Sequence, residues 1–362
     1  MVTRFVSEPA SPRHRGEQFG EAHREPIART LSAYSELFSA VTTDQSWSLP
    51  AFGAQALDRI EAWTPELAEE LHGIARGCGQ TATTIAALNA RTEILAALRN
   101  KGGARTPGEC STIVALGADH MVAVQNWDWF VGMAGNWLVW EIEHADGRRT
   151  TTVTEYGILA KIGVNSAGVG ALFNILHHRA DGHGPVGVPV HVIARAVLDT
   201  AVDVDSALSL VSSATVSAST ALTVMGPGAE GPTAVTAEIW PGGPSFVPAL
   251  DDLLLHTNHF LAPEAAEGDT EPTDAPDTIA RYEVLQRELV GRGHELDVAG
   301  AVAVLTDHAG GSGALCCHPD PADPQTEQYQ TLATVRLDLA QAAVHCTAGT
   351  PCLASTESGV RS

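Results

Sequence analysis

The chain is short of positive charge. Its 362 residues hold 21 Lys and Arg against 43 Asp and Glu, a formal net charge of −22. The imbalance sits late: residues 1–109 carry 11 basic and 13 acidic side chains, and residues 110–362 carry 10 and 30. A chain with no basic stripe is no candidate for nucleic acid or anionic membranes. A polyanionic ligand gains no long-range attraction from it either. Long apolar runs are missing too, and nothing approaches the roughly 20 residues of a membrane span. Met1-Val2-Thr3-Arg4-Phe5-Val6-Ser7-Glu8-Pro9 lacks the apolar core of a secretory signal. Cysteine is scarce, six residues in all, which argues against a disulfide scaffold and for a reducing, cytoplasmic location. Cys316-Cys317 with His318, and His345-Cys346, suggest zinc at first sight. No pair has C-x-x-C spacing, so inert core cysteines and no metal are expected.

What is present is an ordinary globular composition, 44% apolar and 18% charged, enough for one large domain or two ordinary ones. The N-terminal third reads helical. Apolar residues recur at helical intervals from Gly16 to Val41, from Ala54 to Ile74 with a break at Pro65, and from Thr83 to Leu98. After residue 110 the texture changes to short runs rich in Val, Ile, Thr and Trp: Ser111–Leu116, Met121–Asn126, Trp137–Glu143, Thr150–Glu155, Ile158–Val164 and Val169–Asn174. Turn residues between them predict antiparallel hairpins. Helices are predicted at Pro189–Ala201, Val204–Ser213, Thr278–Leu289 and Val298–Thr306. Further strands are predicted at Thr220–Met225, Thr233–Trp240, Leu253–Asn258, Thr331–Leu339 and Ala342–Cys346. The acidic, Pro-rich stretch Glu264 to Asp277 reads as a surface loop. Strands in two groups with helices between them suit an α+β fold of two stacked antiparallel sheets with helices outside.

Between these two textures lies Gly108-Glu109-Cys110-Ser111-Thr112-Ile113-Val114-Ala115, preceded by Lys101-Gly102-Gly103-Ala104-Arg105-Thr106-Pro107. A thiol at the first position of a strand, behind a Gly/Pro loop, suits a self-cleaving N-terminal nucleophile. A free thiol titrates near 8.5 and needs an activator. If the Glu109–Cys110 bond breaks, the new α-amine titrates at roughly 7.7–8.0 and can take the thiol proton. Taken alone, a buried core cysteine opening a strand is the plainer reading.

The wider pattern shifts that balance. Cys110-Ser111-Thr112-Ile113-Val114-Ala115 and Gln125-Asn126-Trp127-Asp128-Trp129 resemble the acyl-CoA:6-aminopenicillanic-acid acyltransferase family of self-processing cysteine Ntn hydrolases. So do Leu88-Asn89-Ala90-Arg91-Thr92-Glu93, Gly163-Val164-Asn165-Ser166-Ala167-Gly168, His256-Thr257-Asn258-His259-Phe260, Leu305-Thr306-Asp307-His308 and Gly349-Thr350-Pro351-Cys352. Their order is the family's, and they span nearly the whole chain. The resemblance implies a four-layer αββα Ntn-hydrolase sandwich. It implies cleavage between Glu109 and Cys110, giving a helical piece 1–109 and a catalytic piece 110–362 that stay together. Cys110 is then the nucleophile, Asp128 the carboxylate that orients the new α-amine, and Asn258 the oxyanion donor, with Asn174 as a second donor. Arg91 and Glu93 read as a buried structural ion pair rather than catalytic groups. His256, His259 and His308 read as hydrogen-bonding residues at strand ends, none of them the base.

The implied activity is cleavage or transfer of an acyl group at a C–N amide bond through a Cys110 thioester. The substrate is a small acyl amide or acyl thioester, with coenzyme A a possible donor and no cofactor required. Two departures stand out. Glu109 occupies the place where the family commonly has Gly. Cys317, in Leu315-Cys316-Cys317-His318, replaces a family arginine that stabilises the thiolate or assists processing. These departures motivate the alternative, a processing-deficient binding or scaffold protein; a thiol protease without self-cleavage is a third reading.

Overall fold

The structure is a computed structural model and describes residues 2–42, 47–102, 110–117, 121–324 and 327–353. Glu109, half of the expected cleavage site, lies outside the described residues, as does most of the loop before it.

The elements run β1 (Arg4–Ser7), α1 (Pro12–Ala22), α2 (Arg24–Val41), α3 (Leu49–Trp63), α4 (Pro65–Cys78), α5 (Ala82–Asn89) and α6 (Arg91–Asn100). There follow β2 (Cys110–Leu116), β3 (Met121–Phe130), β4 (Trp137–Glu143), β5 (Arg149–Glu155), β6 (Ile162–Asn165), β7 (Gly170–Ile175), α7 (Val190–Thr200) and α8 (Val204–Ser212). Then come β8 (Thr220–Gly228), β9 (Gly231–Trp240), β10 (Gly243–Pro248), β11 (Leu253–His256), α9 (Pro263–Ala266), α10 (Glu271–Asp274), α11 (Asp277–Leu289), α12 (Val298–Val304), β12 (Tyr329–Asp338) and β13 (Ala343–Ala348). The expected strands and helices form, except that the strand expected over Ile158–Val164 begins only at Ile162 and two of the helices are interrupted. The N-terminal piece is not purely helical, because β1 adds a parallel strand beside β4. The sequence reading also missed β10. Its Pro244 and Pro248 remove ladder donors, which only an edge strand tolerates, and β10 lies at the sheet edge. The stretch expected as a loop from Glu264 to Asp277 holds the single turns α9 and α10.

The strands build an eight-stranded sheet, β1-β4-β5-β6-β7-β8-β9-β10, and a five-stranded one, β11-β2-β3-β12-β13. Their inner faces pack on each other, with β2 against β7 and β9, and β12 and β13 against β5 and β6. Helices α7 and α8 cover the outside of the larger sheet, and α11 and α12 the outside of the smaller. The result is the α+β, αββα layering. Side chains alternate along β2. Cys110 and Val114 join the core between the sheets. Ile113 and Ala115 face a separate apolar cluster with Leu285, Leu289, Ala301 and Leu305.

Two predicted helices are broken where a side chain or cap does other work. The run from Gly16 to Val41 turns at His23, which packs between Phe5, Phe19 and Tyr156. The run from Thr83 to Leu98 turns at Ala90. There Asn89 donates to Ile85 O and Gly157 O, each at 2.9 Å, and accepts from Leu159 N at 2.9 Å. This fixes the segment between β5 and β6 on the N-terminal helices.

Helices α1 and α4 approach so closely that only glycine fits between them. A Cβ on Gly16 would lie 2.1 Å from Glu70 O, and one on Gly73 would lie 2.0 Å from Arg13 O. That approach lets Arg15 Nε reach Glu70 Oε2 at 3.0 Å, and Arg195 of α7 reaches the same carboxylate at 3.0 Å. Arg195 also holds Asp199 at 2.8 Å. All four groups are buried, so each needs its partner. Gly73→Ala should force the helices apart and cost about 2 kcal/mol. An unfolding midpoint equal to that of the unmodified chain would refute this contact as a packing constraint.

Candidate active site

Cys110 is the first residue of β2, opposite Trp127 in β3, and is 2% exposed. Its main chain is held by side chains rather than by the ladder alone. The Cys110 N–H donates to Asn258 Oδ1 at 2.8 Å. The Cys110 carbonyl accepts from Asn174 Nδ2 at 3.0 Å and from an Arg281 guanidinium nitrogen at 3.0 Å. Asp128 follows Trp127 in β3; it is fully buried, and its carbonyl oxygen lies 3.9 Å from Cys110 Sγ. All four expected site residues, Cys110, Asp128, Asn258 and Asn174, are thus brought together.

Their roles differ in detail. Asn174, on β7, accepts from Thr112 Oγ1 at 2.8 Å while its amide holds the Cys110 carbonyl. It ties β2 to the larger sheet and sets the position of Cys110. Asn258 follows β11. Its Oδ1 also accepts from Arg281 at 3.1 Å, and its Nδ2 donates to Ile175 O at 2.9 Å. A guanidinium has only donors, so it fixes which end of this amide is oxygen. Among the described residues, one hydrogen of Asn258 Nδ2 remains beyond the bond to Ile175.

Two site residues were not anticipated. Arg281, on α11, bonds Cys110 O, Ser111 Oγ at 3.1 Å and Asn258 Oδ1, with Asp277 one turn away at 3.4 Å. Lys161, in the turn before β6, is 1% exposed. Its ammonium stands 4.3 Å from the Trp127 ring centre and 5.4 Å from that of Trp129. No hydrogen-bond acceptor for its Nζ is present among the described residues. The ring faces attract the cation. The only local signal was one lysine inside the apolar run Ile158-Leu159-Ala160-Lys161-Ile162.

Behind Lys161 is a buried charge layer. Glu155 accepts from Tyr34 and, at 3.3 Å, from Arg91. Trp129 Nε1 donates to Tyr34 at 2.9 Å, and the Arg91 guanidinium covers the Trp129 ring. The buried ion pair expected between Arg91 and Glu93 is replaced by one between Arg91 and Glu155. Glu93 instead accepts from Val190 N at 2.9 Å, at the start of α7. His256 bonds Glu238 at 2.9 Å, and His259 sits near Thr257 and Thr278 with its pKa pushed down to about 4 by burial. His308 lies apart, in the loop after α12.

Burial pushes the Cys110 thiol up to about 11, although Lys161 and Arg281 pull it down and Asp128 adds to the rise. Burial pushes Lys161 down to about 8, with Glu155, Cys110 and Asp128 opposing the change. The site as it stands holds a neutral thiol beside a retained cation.

The layering and the buried cysteine opening an inner strand define the class: an αββα sandwich with a thiol between its two sheets. Within it, the family described as acyl-coenzyme A:6-aminopenicillanic acid acyl-transferase matches residues 116–351, and the chain belongs to that family. The match takes in Asp128, Asn174, Asn258 and Arg281 and begins just after Cys110. The acyl-coenzyme A:6-aminopenicillanic-acid-acyltransferase 40 kDa form of Emericella nidulans is 28% identical over 190 residues, 52% of this chain and 51% of the relative. The chain thus spans about half the length of that curated relative. Among solved structures, penicillin V acylase from Agrobacterium tumefaciens aligns with TM-score 0.43 and 15% identity, over 66% of this chain and 83% of the other. The Caenorhabditis elegans N-acylethanolamine-hydrolyzing acid amidase ortholog aligns with TM-score 0.44 and 14% identity, over 66% and 100%.

In the uncut chain, alkylation of Cys110 should be slow at pH 8 and rise with pH until about 11, because only the thiolate reacts. Lys161→Met removes a cation that lowers the thiol pKa, so alkylation at pH 7, where that lysine is still charged, should slow further. A rate that levels off near pH 8.5 would contradict the buried-thiol assignment.

Proposed function

We propose that this chain is a self-processing cysteine amidohydrolase or acyltransferase that works through a thioester on Cys110. The observation that carries this reading is the side-chain grip on one residue's main chain. The nitrogen that would become the free α-amine already has Asn258 Oδ1 as its acceptor. The carbonyl of the same residue is held from two other elements. A cysteine that merely opens a strand needs none of these buried polar groups.

Processing proceeds by an N-to-S acyl shift. Cys110 Sγ adds to the Glu109 carbonyl carbon, the C–N bond breaks, and the thiol proton passes to the departing nitrogen. Water then hydrolyses the Glu109 thioester, leaving a carboxylate on Glu109, a free thiol and an α-amine on Cys110. In the mature enzyme this amine, oriented by Asp128 and Asn258, takes the thiol proton. The thiolate attacks the acyl carbonyl, and the ammonium returns its proton to the leaving amine. Water or a second amine resolves the acyl-thioester. The free hydrogen of Asn258 Nδ2 serves the oxyanion, a contribution of about 3–4 kcal/mol in the transition state. Arg281 supplies a guanidinium at Cys110 from α11, which offsets the arginine absent at position 317.

The substrate class is a small N-acyl amide, and the step needs no cofactor. Hydrolysis is favoured over transfer from coenzyme A, because the acidic residues 110–362 offer a polyanionic donor no long-range attraction. The released 1–109 piece stays bound as the partner of 110–362. Phe19 stacks on Trp140, Arg15 shares Glu70 with Arg195, and β1 pairs with β4.

Intact-mass analysis tests the reading. Two fragments that co-elute on a non-denaturing column, the second beginning at Cys110, are the expected result. Cys110→Ala should leave one chain that cleaves no N-acyl amide. Arg281→Met should retain the fold and slow processing and turnover by about 10²-fold or more. A wild-type chain that stays whole on long incubation and is never acylated at Cys110 favours the scaffold alternative.

A further inference from the structure

Outside the active site, four side chains from three segments converge. His308 lies in the loop after α12, Cys316 and His318 precede β12, and Cys352 follows β13. His318 Nε2 stands 3.2 Å from His308 Nε2, 3.4 Å from Cys316 Sγ and 3.4 Å from Cys352 Sγ. All four atoms lie within 4.8 Å of one another. Hydrogen bonding alone cannot account for this crowding. An imidazole nitrogen carries either one hydrogen or one lone pair, so His318 Nε2 can satisfy one of its three neighbours.

A shared cation satisfies all of them. In a tetrahedral zinc site the metal lies about 2.3 Å from sulfur and about 2.0 Å from nitrogen, which places the ligand atoms about 3.3–3.8 Å apart. Two thiolates and two neutral imidazoles also match zinc in charge and softness. We propose that this chain binds one zinc ion through His308, Cys316, His318 and Cys352. Four protein ligands leave no open position, so the ion holds the structure and takes no part in acyl transfer. The spacing H-x7-C-x-H-x33-C does not resemble the local pairs that mark zinc sites in sequence, and this is why sequence inspection pointed away from a metal.

The ion would close the segment after β13 onto the loop between α12 and β12. Cys317, between two of the ligands, points elsewhere, with its Sγ at Ser312 O. Its carbonyl accepts from Thr331 N at 3.1 Å, and Thr331 pairs with Asp128 across β12 and β3. The inference does not depend on the proposed reaction, since a processing-deficient protein would present the same four ligands.

The test is metal analysis of full-length protein purified without chelator from zinc-supplemented cells. About one zinc per chain is expected. Replacement by Co2+ should give the visible bands of a tetrahedral site with thiolate ligands. Cys110→Ser should keep the full metal content, which separates this site from the nucleophile. Cys352→Ser should lose most of it. If that variant fails to fold, His308→Ala, on the exposed loop, should fold and bind zinc at least 10-fold more weakly. The proposal is overturned if the wild type is metal-free and featureless with Co2+, or if freshly prepared protein shows a Cys316–Cys352 disulfide by peptide mapping.

Discussion

Asn258 sets the geometry of the site. Its Oδ1 accepts from the Cys110 N–H and from Arg281, its Nδ2 donates to Ile175 O, and its own N–H donates to Thr278 Oγ1 at 2.9 Å. One buried amide thereby joins the start of β2, the end of β7 and the N-terminal turn of α11. These elements belong to both sheets and to an outer helical layer. An amide bonded on this many sides has one rotamer and one flip state, so the nitrogen of Cys110 has one position. Buried polar networks are costly when half satisfied. This one is assembled around a single cysteine, which is the reason to read that cysteine as chemically used.

Burial governs the electrostatics in the same way. Each charge beneath the site faces an opposite charge or a ring. Arg91 faces Glu155 and covers Trp129, while Lys161 stands against Trp127. A desolvated thiol resists ionisation, and the nearby lysine offsets only part of that. The Cys110 thiol is thus kept neutral by the medium in which it sits. On the proposed reading the base is an α-amine on the same residue, which needs no extra side chain and no movement of the fold. Among the described residues, His256 is bound to Glu238 and His259 is held neutral by burial.

Much of this was legible in the sequence, because alternation and helical spacing are local signals. The strands from β2 to β9 and the helices α7, α8, α11 and α12 fall close to where periodicity puts them. The misses have physical causes. β1 and β10 are edge strands, short or rich in proline, and owe their form to a neighbour rather than to their own residues. The breaks at His23 and Ala90 come from tertiary contacts, the latter through the Asn89 clamp. Cys110, Asp128 and Asn258 emerged from ordered motifs, and Asn174 from analogy alone. Arg281 and Lys161 did not, because a lone Arg on an amphipathic helix and a lone Lys in an apolar run look like surface residues until the packing is known.

The same limit explains the cysteine–histidine group, and its position ties it to the site. Asn126 lies two residues before Asp128 in β3. Its Nδ2 donates to Leu305 O at 3.1 Å and Leu315 O at 2.8 Å, and its Oδ1 accepts from Thr334 Oγ1 of β12 at 2.8 Å. One side chain therefore fastens both ends of the loop that carries His308 to the strand that carries Asp128. A cation gathering His308, Cys316, His318 and Cys352 would close that loop over the outer face of β3 and hold the chain end after β13 against it. Strand β3 is then fixed on one face by the loop and on the other by Trp127 and Gln125, whose amide brackets Phe173 of β7. Asp128 cannot shift without breaking one of these attachments. On the proposed reading, the precision required to orient an amine on Cys110 is supplied from behind the strand, by residues that never touch substrate.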